Sequence, residues 1–159
     1  MVLTAKPHGA LRHGFDLVDS AGATVAAFAS SVWRENGQVR IGDRFWELRN
    51  QGSRRFTLEG QAGTLAVAER ASYWSGAWRV SAGDRTYELV KPSWRSRRYD
   101  VRAGGVTVGE LRPMGVFGSK AEVDLPDDMP PPVQVFVVAV VMTLWRREQN
   151  SAAPGTASN

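Results

Sequence analysis

The sequence predicts an all-β fold with one central helix. The expected form is a closed antiparallel barrel of about twelve strands, three four-strand repeats around a buried hydrophobic C-terminal helix. Three observations carry this: an internal repeat, period-two alternation of apolar residues within it, and one unbroken apolar run near the C-terminus.

Residues 15–48 align without a gap to residues 56–89, and 13 of the 34 positions are identical. The matches include Phe15/Phe56, Leu17/Leu58, Gly22/Gly63, Trp33/Trp74 and Val39/Val80, then Gly42-Asp43-Arg44 against Gly83-Asp84-Arg85, with Trp46 facing Tyr87. A third copy follows, with Tyr99, Val101, Phe117 and Val123 in place of Phe56, Leu58, Trp74 and Val80. A fixed period of this size marks a repeated supersecondary unit.

Within each copy Phe15 and Leu17, then Val39 and Ile41, then Trp46 and Leu48 alternate with polar neighbours, and Gly and Asp mark the turns. That is the signature of half-buried antiparallel strands. The third copy lacks a fourth strand, because Pro130-Pro131-Pro132 cannot donate to a ladder. The N-terminal run Val2 to Lys6 is expected to take that place and close the barrel.

Twelve strands enclose more space than eight, which already fill with their own side chains. Val133 to Trp145, broken only by Gln134 and Thr143, is the expected filling. It is apolar all round, as a helix buried on every side must be, and shorter than the roughly 20 residues a membrane span needs. Asp127 and Asp128 are expected to compensate its positive end, and Arg146 and Arg147 its negative end. Residues 149–159 read as a frayed polar tail behind a barrel domain over 1–148.

This plan, closed by the Pro-led helix PPPVQVFVVAVVMTLWRRE, resembles the tubby C-terminal-like superfamily. Size and Trp-rich hairpins are most similar to its LURP-one-related proteins, and phospholipid scramblases share the plan. The resemblance covers residues 2–148 and implies a cytoplasmic barrel with affinity for phosphoinositide or other anionic lipid head groups. No stretch matches the tubby phosphoinositide-binding motif, and the palmitoylated cysteines of scramblases have no counterpart, since the chain has no cysteine.

The residues themselves suggest one basic site. Lys91, Arg95, Arg97 and Arg98 surround Trp94, and Arg54 and Arg55 occupy the equivalent connector one repeat earlier. Connectors between repeats fall at one end of a barrel, where arginines can hold phosphate bidentately. The alternative is an ordinary solvated loop. The formal net charge of +4 permits an anionic partner without requiring one.

Other features read as structural. Trp33, Trp74 and Phe117, like Trp46 and Tyr87, recur with the repeat and suit packing better than base stacking. Trp78 and Trp94 have no counterpart in the first copy and are the better candidates for a ligand, including single-stranded nucleic acid. Asp124, Asp127 and Asp128 lack a calcium-loop spacing, and His8 and His13 have no third ligand in view. Asp43 and Asp84 are turn residues.

No nucleophile–base pair, paired carboxylates or phosphate loop stands out, so neither an enzyme nor a cofactor is expected. The absence of cysteine and of a leader pattern fits a reducing cytoplasm, with membrane association at most peripheral. The expected function is a non-enzymatic module binding anionic head groups; the alternative is a protein-interaction scaffold with no small ligand.

Overall fold

The computed structural model describes residues 2–7, 14–30, 36–72, 76–115 and 120–151. Twelve strands run in chain order: β1 (Val2–Pro7), β2 (Gly14–Val18), β3 (Thr24–Ser30), β4 (Gly37–Ile41), β5 (Arg44–Asn50), β6 (Arg55–Gly60), β7 (Gly63–Arg70), β8 (Trp78–Ala82), β9 (Arg85–Val90), β10 (Tyr99–Ala103), β11 (Val106–Met114) and β12 (Lys120–Asp124), followed by α1 (Pro131–Ser151). Each strand pairs antiparallel with its neighbour in sequence, and β1 pairs with both β2 and β12, closing the barrel.

β1 therefore supplies the strand missing from the third repeat. Leu3 faces Val123 in its register, as Trp46 faces Val39 and Tyr87 faces Val80. With β1 counted as the last strand, the barrel has three four-strand units and no free edge.

The second strand of every unit carries one extra residue in a β-bulge: Val25, Leu65 and Val108. The first unit departs from the gapless sequence alignment here. Leu17 pairs with Ala26 whereas Leu58 pairs with Ala66, so β3 matches β7 at a shift of 40 rather than 41, and Val39/Val80 restores 41. The longer β2–β3 turn holds the inserted residue and is closed by Asp19, whose Oδ1 accepts from Ala21 N and Ala23 N, each at 2.9 Å.

The helix fills the barrel, and twelve of its side chains, from Val133 to Trp145, are buried. It lies closest to β3, β4, β6 and β7, where inward Ala26, Ala66, Ala68 and Gly37 are small enough to admit it. The units achieve the same filling differently. Phe28 lies across Gly37 in the first, where an added Cβ would stand 2.4 Å from its ring. In the second, Ala68 leaves the space to Trp78, which packs on Phe56.

The polar side chains within the run are satisfied locally: Gln134 Nε2 donates to Met129 O at 2.8 Å and Thr143 Oγ1 to Ala139 O at 2.8 Å. No helix among the described residues is long and apolar enough to cross a membrane.

Two expectations about the helix are corrected. It begins at Pro131 and continues to Ser151, three residues into the segment read as tail. Consequently no acidic residue lies in its first turn and no basic residue in its last. Asp128 is held by Arg85, and Arg147 lies with its guanidinium 5.1 Å from the Phe56 ring centroid. Tertiary partners hold Asp128 and Arg147.

Candidate functional site: the basic end of the barrel

An antiparallel barrel of adjacent hairpins has two kinds of end. One end carries the tight turns β2–β3, β4–β5, β6–β7, β8–β9 and β10–β11, together with the approach to α1. The other carries the connectors β5–β6, β7–β8, β9–β10 and β11–β12, and receives the end of α1. The charged residues in these segments separate completely. In the turns and the approach to α1 they are Asp19, Asp43, Asp84, Asp127 and Asp128, with no cation. In the described connector residues they are Arg54, Lys91, Arg95, Arg97 and Arg98, with no carboxylate. The helix adds Arg146 and Arg147 to the basic end, with Glu148 beside them.

The structure thus brings the predicted residues to one end but does not leave them equally available. Arg55 pairs with Glu69 at 3.1 Å, and Arg98 with Asp100 at 3.0 Å. Lys91 meets Glu148 of the helix and sits 5.5 Å from the Tyr99 ring centroid. Arg97 is part-buried, and its carbonyl accepts the Trp145 indole N–H at 2.6 Å. Arg54 and Arg95 are exposed; Trp94, 83% exposed, stacks with Arg95 at 4.9 Å.

These contacts fasten the 91–98 connector to the helix. Lys91–Glu148 holds its start and Trp145–Arg97 its end, so Trp94 and Arg95 project from a loop anchored on both sides. Beside the anchors a cavity of about 590 Å³ opens where the helix emerges, lined by Ser53, Arg70, Trp78, Tyr99, Arg147 and Glu148 among others. Arg147 Nη1 donates to Ser53 O at 3.0 Å across it. Burial pushes the Tyr99 hydroxyl well above its ordinary pKa; the negative charge of Glu148 adds to the shift and Arg70 opposes it. Tyr99 is therefore a neutral wall of this mouth.

Sequence reasoning missed Arg70, Arg146 and Arg147, which reach the basic end from β7 and the helix. The Arg146-Arg147 pair was visible, but only as a helix terminus. Trp78 is corrected from candidate contact to core residue, 4% exposed and packed on Phe56 at 5.5 Å. Trp46 and Tyr87 are buried as expected. Trp33, Trp74, Phe117, His8 and His13 lie outside the described residues. No group of three metal-ligating side chains occurs among the described residues. No protein-family model, curated protein or solved structure matches the chain.

Proposed function

We propose that this chain is a non-enzymatic peripheral module that meets anionic phospholipid or phosphoinositide head groups with the basic end of a tubby-like barrel. The observation that supports it most is the separation of charge among the described loop residues, with five cations in the connectors and five carboxylates in the turns and the approach to α1. Such a polarised field orients the molecule toward an anionic surface before contact. The architecture supports the tubby-like reading, since a closed twelve-strand barrel surrounds one buried helix. Arg54, Arg95 and Trp94 are the side chains best placed for first contact, with guanidinium groups for phosphate and an indole for the interface.

Co-sedimentation with vesicles tests this. Binding is expected to vesicles containing phosphoinositide or cardiolipin, not to neutral ones, and to weaken with salt. The double change Arg54→Ala, Arg95→Ala should reduce it severalfold, while Arg40→Ala, outside the basic end, should not. Equal sedimentation with neutral and anionic vesicles, or none with either, refutes the reading.

A further inference from the structure

The acidic end carries a feature that the lipid reading does not use. The bulges expose Val25, Leu65 and Val108, which are 38%, 36% and 37% accessible. Phe45, 50% exposed, stands between the first two, because β5 lies between β3 and β7 in the barrel. A groove of about 420 Å³ separates the β4–β5 and β6–β7 turns, with Phe45 and Leu65 on its walls and Gly60, Ala62 and Gly63 along it. A second, of about 360 Å³, lies on the other side of Phe45.

Inside the first groove Trp46 packs so closely on Gly60 that an added Cβ would meet its ring at 2.9 Å, and Arg44 stacks on the indole at 5.1 Å. Asp43 supplies the opposite charge at the rim. The groove thus combines apolar walls at Phe45 and Leu65 with a polar rim, in which Asp43 and Arg44 balance in charge.

The opposite end presents a projecting aromatic among cations. Trp94 projects from the anchored connector at 83% exposure with Arg95 stacked on it, surrounded by cations. Trp and Arg are among the residue types enriched where protein contacts concentrate their binding energy. We propose that the Trp94–Arg95 knob of one copy docks into the Phe45–Leu65 groove of a second, with Arg95 facing Asp43. The contact is heterologous, joining different surfaces, so in a pair one copy keeps an unused groove and the other an unused knob, and association continues head to tail. The opposed charge of the described loop residues at the two ends aligns successive copies in the same direction.

Sedimentation velocity without lipid, from low to high micromolar protein, tests the proposal independently of the membrane reading. At about 20 mM salt the mean mass should rise with concentration, and at about 0.5 M it should fall to the monomer. Trp94→Ala and Phe45→Arg should each raise the concentration at which association begins by at least about tenfold. Leu65→Ser should repeat the groove defect by a second route. Trp94, Phe45 and Leu65 are all surface side chains, and unchanged melting curves will show that the variants fold.

The decisive sample is an equimolar mixture of the Trp94→Ala and Phe45→Arg chains. One retains an intact groove and the other an intact knob, so the mixture should form a dimer and nothing longer. A wild-type chain that stays monomeric at low salt overturns the proposal, as does a mixture no heavier than its separate components.

Discussion

Trp145 joins the helix to the candidate site, and replacing it with Phe separates its two roles. Its side chain is 1% exposed, its ring lies 6.5 Å from that of Tyr99, and its indole N–H donates to Arg97 O at 2.6 Å. Full burial of an indole removes about 150–250 Å² from water, or ~4–6 kcal/mol at ~25 cal/mol per Å². Measured truncations of buried Trp to Ala cost about 3–5 kcal/mol. Phe keeps most of the apolar area but leaves the Arg97 carbonyl without its donor, costing about 1–3 kcal/mol.

Trp145→Phe should therefore lose roughly half of what Trp145→Ala loses. At ~2–4 °C per kcal/mol for a chain of this size, that is a drop of about 5 °C in Tm. Urea unfolding followed by circular dichroism gives the comparison, with an unchanged m-value expected. Hydrogen exchange should show faster opening of the 91–98 connector, since one of its two anchors is gone. Wild-type stability in Trp145→Phe would refute the anchoring argument. A loss equal to that of Trp145→Ala would show that a hydrogen bond alone does not separate the two variants.

The remaining predictions concern closure and pH. Removing residues 1–6 deletes most of β1, exposes the edges of β2 and β12 and uncovers the helix, so cooperative melting should be lost at temperatures where the full chain is folded; an unchanged melting curve would rule out the closing role. The raised pKa of Tyr99 gives stability that is fully present below the unfolded value of about 10 and is lost as pH rises toward the higher folded value, because the unfolded chain releases the proton first. Tyr99→Phe should flatten that alkaline decline in a pH series of urea midpoints, and an identical slope in both proteins would contradict the burial assignment.

Much of the fold is legible without coordinates because its determinants are periodic. Alternation at Phe15/Leu17, Val39/Ile41 and Trp46/Leu48 sets which face is buried, and a strand has only two faces. The proline run stops the third unit early, and the thirteen-residue apolar segment has no soluble place except an interior, so closure by β1 and filling by the helix both follow from local properties. The position of the Asp turns was readable too, since Asp43 and Asp84 sit at repeat-equivalent hairpins.

What needed the tertiary structure was everything that depends on which distant residues meet. The gapless alignment concealed the one-residue shift of β3, because the extra residue of the first turn is compensated before β4. Trp78 looked unique to its unit and so available, yet Phe28 fills the equivalent space in the first unit from a neighbouring strand. Volume in a packed interior is shared between strands, and no single position records it.

The arginines show the same limit. Arg55, Arg98 and Lys91 read alike with Arg54 and Arg95 along the chain. Only the fold supplies Glu69, Asp100 and Glu148 to the first three and stacks Arg95 on Trp94. Sequence determined how many charges each loop carries; pairing is decided at distances of a few ångströms between segments up to 57 residues apart, where Coulomb attraction and burial act on geometry and not on order along the chain.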